Sequence, residues 1–140
     1  YDAFIENTEW GIELFHGYTY SGHPLACAAA LANLLIYERE GLFQNAAELS
    51  PYWEDAVHGM KDLPHVIDIR NLGIVAGIEL SARPGAPGRR GYDAMVAAYR
   101  AGLMIRVTGD IIALSPPLML NKTDIDKMVT ILSGVLKTLD

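Results

Sequence analysis

The feature that most constrains this chain is a polar turn, flanked by two glycines, that opens directly into an alanine-rich run. The turn spans His16 to Pro24 (HGYTYSGHP), and the run LACAAALA follows it at once. Alanine is the best helix former, and proline suits the first position of a helix, where its missing N–H leaves nothing unpaired. The sequence therefore predicts a helix over residues 24–40, with Gly41 as its C-terminal cap.

The end of this turn is a place where an anion can bind. Unpaired backbone N–H groups and the positive end of the helix dipole favour negative charge at a helix start. Thr19, Tyr20 and Ser21 add hydroxyls that can donate to phosphate oxygens. The two glycines have the spacing of a P-loop, but His23-Pro24 stands where that motif requires Lys-Ser/Thr. The residues alone leave two interpretations open, an anion site or an ordinary capped turn before a packed helix.

Composition and charge exclude several classes of protein. With 140 residues, 51% of them hydrophobic and 20% charged, the chain is expected to be one globular domain. Eleven basic against 17 acidic residues give a net charge of −6, which argues against nucleic-acid binding. We see no signal peptide and no apolar run long enough to span a bilayer. We therefore expect a cytoplasmic protein that binds neither nucleic acid nor membrane.

The metal-ligating residue types are sparse. Cys27 is the only cysteine, and its place among alanines predicts a small buried side chain. The four histidines show no metal-ligand spacing, so we expect no metal site. The apolar helix at 24–40 is likewise expected to be buried, against this chain or a partner chain.

The rest of the chain predicts an α/β fold. Residues 1–15 are predicted to be irregular. The predicted elements are a helix over 42–63 kinked at Pro51, strands over 65–70 and 74–80, a helix over 92–101, a hairpin of strands over 103–108 and 111–114, and a last helix from Thr123 with Asp126 in a capping-box variant. Residues 71–73 are predicted to be a turn, and Gly77 indicates a bulge or a close backbone approach. This order predicts a small, mainly antiparallel sheet covered by helices on one face.

Arg106 is a second candidate binding residue. Alternation along 103–108 places it on the same face of its strand as Met104 and Thr108. An arginine beside a tight hairpin at a sheet rim can present its planar fork to a carboxylate. The alternative from the residues alone is a surface arginine paired with an acid such as Asp110.

Both candidate segments resemble one known family. The turn resembles the Gly-aromatic-Thr-Tyr-Ser-Gly-His-Pro segment of the class III, pyridoxal-phosphate-dependent aminotransferases, and the chain is most similar to the ω-amino acid (β-alanine)–pyruvate aminotransferases among them. The sequences GLMIRVTGD at 102–110 and LSPPL at 114–118 resemble that family's C-terminal substrate-binding segment. DIRNLG at 68–73 and AGIEL at 76–80 resemble strands of its small domain, so the resemblance covers essentially the whole chain.

The resemblance implies a cofactor, a substrate and an assembly. Thr19 would bind the phosphate of pyridoxal 5′-phosphate across a dimer interface, with Tyr18, Tyr20 and Ser21 lining that site, and Arg106 would hold the substrate carboxylate. The assembly would be a homodimer or a higher homo-oligomer. The fold would be fold type I. Residues 1–23 would then end the large cofactor-binding domain, and residues 24–140 would be the C-terminal small domain, with 24–40 as its connecting helix.

The resemblance also implies that parts of the active site precede this chain. The family's Schiff-base lysine, an aspartate that pairs with the pyridine nitrogen and a Gly-rich phosphate segment would all lie before Tyr1, and the chain begins without an initiator Met. None of the four lysines (Lys61, Lys122, Lys127, Lys137) resembles the Schiff-base site. The parent protein would move an amino group from an ω-amino acid or amine to pyruvate, or to another acceptor such as 2-oxoglutarate, and this chain alone would be inactive. The alternative is a non-catalytic module that self-associates or binds a small anion.

Overall fold

A computed structural model of the chain describes residues 17–140, which divide into two compact units. The first unit ends at Arg39 and contains, in its described part, the turn and helix α1 (Pro24–Arg39). The second unit, Glu40–Asp140, contains α2 (Leu42–His58), β1 (Val66–Leu72), β2 (Val75–Leu80), α3 (Arg89–Arg100), β3 (Arg106–Thr108), β4 (Ile111–Leu114) and α4 (Lys122–Lys137). The irregular segment predicted at 1–15 and the first residue of the turn, His16, lie outside the described residues.

The strands of the second unit form one antiparallel sheet in the order β1-β2-β4-β3. Two hairpins, β1–β2 and β3–β4, join through the central pair β2–β4, and β3 lies at the edge. This confirms the predicted element order and the mainly antiparallel sheet.

The core lies between one face of this sheet and helices α2, α3 and α4. Every second residue of the central strands is buried: Ala76, Ile78 and Leu80 in β2, and Ile112 and Leu114 in β4. The helices contribute large side chains that are fully or almost fully buried, among them Trp53, Ile125, Leu132 and Leu136. A half-buried antiparallel sheet needs this alternation, because successive side chains point to opposite faces.

The first hairpin turns later than the sequence predicts. β1 continues through Asn71 and Leu72, which pair with Ala76 and Val75, so the predicted turn at 71–73 is wrong. The turn is Gly73-Ile74, and Gly73 supplies the positive φ of 57° that starts it.

The register irregularity in this hairpin lies on β1 and not on β2, the strand that contains Gly77. It falls between Val66 and Asp68 of β1, and β2 pairs without interruption at Gly77, so the bulge predicted there is wrong. The alternative, a close backbone approach, is not seen either: the nearest neighbour of a Cβ at Gly77 would be the Arg70 side chain, at an ordinary contact distance of 3.7 Å.

Several helix boundaries differ from the predictions, and α1 and α3 each end one residue early, at Arg39 and Arg100. α2 is one continuous helix through Pro51, as predicted, but it ends at His58, because glycine at position 59 is a poor helix residue. α4 begins at Lys122 rather than Thr123, and its capping box joins Asn121 and Asp124, so the predicted box is wrong. α3 begins at Arg89, three residues before the predicted start, for a reason given below.

Helix α1 forms as predicted, but none of its side chains is buried. Leu25, Leu31, Leu34 and Leu35 are exposed, and the prediction of a buried Cys27 is wrong. The apolar residues of α1 are spread around the helix rather than gathered in one stripe, and the core is built from Glu40–Asp140. Within residues 17–140, no helix is long and apolar enough to cross a bilayer.

Candidate cofactor and substrate site

The turn before α1 is held by hydrogen bonds within itself. Ser21 N–H donates to the Tyr18 carbonyl at 2.9 Å, and the Ser21 Oγ in return accepts from Tyr18 N–H at 3.0 Å. His23 N–H donates to the Tyr20 carbonyl at 3.1 Å. Gly22 has a φ of 78°, which glycine adopts without strain. The turn therefore has a defined shape of its own and leaves the start of α1 open.

The side chains of this turn face outward. Tyr18 and Tyr20 are each 81% exposed, and the Tyr20 ring stacks on the His23 ring at a centroid distance of 6.4 Å. Among the described residues, the Thr19 hydroxyl has no hydrogen-bond partner. Because Ser21 Oγ accepts within the turn, its own O–H is left to donate outward. Two hydroxyl donors thus lie beside a helix N-terminus, an arrangement that suits a phosphate.

Arg106 is the first residue of the edge strand β3 and pairs with Ala113 of β4. Ile105 is buried and Met104 is 86% exposed, which confirms the predicted alternation of faces. In the part of the chain that the structure describes, the Arg106 guanidinium has no hydrogen-bond or ion-pair partner. It is exposed, and all five of its N–H donors are available.

A surface cavity of ≈ 450 Å³ lies beside Arg106. Its walls come from residues 103–106, from residues 113–117 and from Met128 of α4. Arg106 is the one charged residue among the described residues that line it. The result is a mostly apolar cleft with a single cation on its wall.

The segment that follows the cleft-lining residues 113–117 is held by a residue that the sequence analysis did not single out. Asn45 of α2 donates through its side-chain amide to the carbonyls of Leu118 and Leu120, at 2.7 and 3.1 Å. These bonds hold the segment that follows Pro116-Pro117, which cannot bond into the sheet. Asn45 sits within a helical pattern, so its sequence context carried no signal of this contact.

Asp110 does not form the ion pair with Arg106 that the sequence left open as an alternative. Its carboxylate accepts hydrogen bonds from the backbone N–H of Gly88 at 2.6 Å and of Gly91 at 2.9 Å. It therefore caps the N-terminus of α3, which explains the early start of that helix, and it does not pair with Arg106. Burial acts to raise the pKa of Asp110, but the hydrogen bonds from Gly88, Gly91 and Arg90 outweigh it and hold the pKa below its ordinary value.

The structure places the predicted site residues in two groups. Tyr18, Thr19, Tyr20 and Ser21 share one turn in the first unit, and Arg106 lies in the second unit. All four lysines are exposed, and none of them lines the cleft. No group of His, Cys, Asp and Glu within residues 17–140 is arranged to hold a metal ion.

Comparison with known proteins identifies the family. The family model for class-III aminotransferases matches residues 2–136, so the chain belongs to that family. It is 56% identical to an ω-aminotransferase of Caulobacter vibrioides, over 100% of this chain and 32% of the relative. It is 40% identical to an ω-amino acid–pyruvate aminotransferase of Pseudomonas putida, over 99% of this chain and 31% of that protein.

A solved structure extends this likeness to the fold. The ω-transaminase of Pseudomonas jessenii, in complex with PMP, matches 88% of this chain and 28% of its own with a TM-score of 0.79 and 35% identity. The second unit is therefore an α/β domain of the aminotransferase fold. The chain spans about a third of the length of the curated relatives that it matches.

Proposed function

We propose that this chain is the C-terminal part of a pyridoxal-phosphate-dependent enzyme that transfers an amino group from an ω-amino acid or amine, such as β-alanine, to pyruvate. Membership of the class-III aminotransferases and the names of two relatives support this proposal. The observation that carries it is the unpaired guanidinium of Arg106 on the wall of an apolar cleft. Pyruvate and β-alanine share one feature that such a group binds, a carboxylate.

Arg106 would bind and orient the substrate. A guanidinium donates two parallel hydrogen bonds to a carboxylate, which fixes the direction of the bound molecule as well as its position. The apolar walls of the cleft suit the short carbon chain of the substrate. A substrate held at its carboxylate keeps its reacting carbon, the amino-bearing carbon of β-alanine or the keto carbon of pyruvate, in a constant direction.

The turn before α1 would hold the cofactor phosphate. The Thr19 and Ser21 hydroxyls are the donors, the start of α1 adds its unpaired N–H groups, and Tyr18 and Tyr20 line the site. When bound, pyridoxal phosphate supplies an electron-poor ring that stabilises negative charge on the reacting carbon. By the resemblance, the phosphate held here is that of a neighbouring subunit in a homodimer or higher homo-oligomer.

The proton transfers are assigned to a lysine outside this chain. Lys61, Lys122, Lys127 and Lys137 are exposed, and none of them lines the Arg106 cleft, so none is proposed as the base. The chain alone is therefore proposed to be inactive, and the activity to belong to a longer polypeptide comparable in length to its relatives. The cytoplasmic location stays a prediction.

The test uses the full-length enzyme that contains this chain and the 140-residue chain by itself. Each is incubated with pyridoxal phosphate, β-alanine and pyruvate, and the formation of alanine is measured. We expect alanine from the full-length enzyme and none from the chain alone. Transfer to 2-oxoglutarate instead of pyruvate would overturn the acceptor and keep the reaction class. No transfer to either acceptor from β-alanine or an amine would overturn the proposal.

A non-catalytic module remains the second candidate. The uncovered apolar surface of α1 favours self-association, and the open turn favours binding of a small anion. The distinguishing measurement is sedimentation of the full-length polypeptide with and without inorganic phosphate, beside the activity assay. Assembly or phosphate binding without any amino transfer would favour the module.

A further inference from the structure

We propose that Asp110 is a positioning residue for Arg106. Its carboxylate fastens the turn between β3 and β4 to the start of α3, and this fixes the edge strand that carries the guanidinium. The inference rests on the proposed role of Arg106 in binding the substrate carboxylate. Asp110 itself is assigned no contact with the substrate.

The strand that carries Arg106 is weakly held by the sheet alone. β3 is three residues long and lies at the edge, so within residues 17–140 its one ladder partner is β4. The pairing runs from Arg106 opposite Ala113 to Thr108 opposite Ile111, and beyond Leu114 the chain continues as Ser115-Pro116-Pro117. The ladder between β3 and β4 ends at Arg106 and Ala113, so in the part of the chain that the structure describes, residues 103–105 have no strand partner. The position of Arg106 must therefore depend on what holds the two ends of this strand.

The turn end is held by the Asp110 side chain. It accepts from Gly88 N–H at 2.6 Å and from Gly91 N–H at 2.9 Å, both at the start of α3. Hydrogen bonds to an ionised carboxylate are roughly twice as strong as neutral ones, and a negative charge is favoured at a helix N-terminus. The Asp110 carbonyl also accepts from Leu80 N–H at 2.9 Å, which ties the same turn to the central strand β2.

The approach of the turn to α3 is close enough to require glycine. A Cβ at Gly91 would lie 2.2 Å from the Gly109 carbonyl oxygen and 3.0 Å from the Asp110 Cα. Gly88 adopts a φ of 81°, which turns its N–H toward the carboxylate without strain. The backbone of α3 at Gly91 therefore packs directly against the backbone of the β3–β4 turn at Gly109 and Asp110.

The other end of the segment is bound to the opposite end of the same helix. Leu103 N–H donates to the Ala98 carbonyl at 2.8 Å, and the side chains of Leu103 and Ile105 are buried. α3 therefore holds the Arg106 segment at both ends, through Ala98 before the strand and through Asp110 after it. Weakening the Asp110 anchor is therefore expected to loosen the β3–β4 turn and the strand that carries the guanidinium.

The test compares two variants of the full-length holoenzyme. Asp110→Asn removes the charge at the α3 anchor, and Asp124→Asn removes the corresponding charge at the α4 cap, where Asp124 accepts from Asn121 N–H at 3.0 Å. We expect Asp110→Asn to lower kcat/KM for pyruvate about tenfold, mainly through KM, because small misplacements of a binding group weaken orientation steeply. For butylamine, which has no carboxylate, kcat/KM should stay within about twofold. Asp124→Asn should change neither value.

Two further readouts separate positioning from a loss of stability. Hydrogen–deuterium exchange of the amides at 104–114 should rise in Asp110→Asn and not in Asp124→Asn. In a double-mutant cycle, Asp110→Asn should cost nothing further for pyruvate once Arg106 is alanine. If Asp110→Asn does not fold, Gly91→Ala disturbs the same junction and carries the same expectations.

The outcomes distinguish this inference from the proposed function. Unchanged exchange at 104–114, equal losses for pyruvate and butylamine, or additive losses in the cycle would each overturn the positioning role while leaving the aminotransferase proposal in place. If Arg106→Ala leaves pyruvate turnover intact, the carboxylate-binding role fails and the inference fails with it. A selective, Arg106-dependent loss with raised exchange supports it.

Discussion

The carboxylate of Asp110 and the backbone N–H of Gly91 lie 2.9 Å apart, although 19 residues separate them in the chain. This contact joins the turn of one hairpin to the first turn of α3. It satisfies a helix N-terminal donor that no local side chain caps, since Gly88 at the N-cap position has none to offer. The junction therefore determines where α3 begins and where the β3–β4 turn lies.

Gly91→Ala tests how tightly this junction is packed. The added Cβ would meet the Gly109 carbonyl oxygen at 2.2 Å, so helix and turn must separate. We expect a loss of about 1–3 kcal/mol in the free energy of unfolding, the usual cost of overpacking. The measurement is urea unfolding followed by circular dichroism. Gly134→Ala in α4 is the control, because nothing lies within 4 Å of its Cβ and alanine favours the helix by about 0.5–1 kcal/mol.

The low pKa of Asp110 predicts a pH dependence of stability. A carboxyl group whose pKa is lower in the folded state stabilises the fold above its unfolded pKa of about 3.9. That contribution is lost as the pH falls through the still lower folded pKa. Wild type should therefore lose more stability than Asp110→Asn between pH 6 and about pH 3. Unfolding curves at both pH values check this, and equal losses in the two proteins would contradict it.

The order of elements could be predicted because it depends on local patterns. The apolar stripe of α2 keeps its phase across Pro51, and the alternation in β2 and β4 matches the face that they bury. The predicted element boundaries were wrong where residues distant in sequence determine them. α3 begins at Arg89 because Asp110 caps it from another element, and β3 begins only at Arg106, where its pairing with β4 ends.

The candidate site likewise combines features that local sequence patterns predict with features that they do not. The exposed hydroxyls of the turn and the outward face of Arg106 follow from local chemistry and from the period of a strand, and both appear in the structure. The supports of the site do not follow from local patterns, since Asn45 reaches Leu118 across 73 residues. The burial predicted for Cys27 failed because composition shows that a helix is apolar but does not show what covers it.

Arg106→Ala should weaken the use of substrates that carry a carboxylate. A hydrogen bond to a charged group contributes about 1.5–3 kcal/mol, so kcat/KM for pyruvate in the full-length enzyme should fall about ten- to a hundredfold. An amine donor without a carboxylate should be much less affected. Arg100→Ala is the matched control, since Arg100 is an exposed arginine at the end of α3 that does not line the Arg106 cleft. An unchanged value for pyruvate would remove Arg106 from the site.

Thr19→Ala should weaken the binding of pyridoxal phosphate without changing substrate preference. In the described residues the Thr19 hydroxyl has no partner, so its removal costs the turn nothing, and any effect reports on a bound phosphate. Loss of one hydrogen bond to a charged oxygen predicts a Kd about ten- to a hundredfold higher. Thr19→Ser keeps the hydroxyl and should bind nearly as wild type. The measurement is a titration of the apoenzyme with the cofactor, read from restored activity. Equal Kd values for Thr19→Ala and wild type would show that the phosphate lies elsewhere, because the free hydroxyl of this turn would then contact nothing.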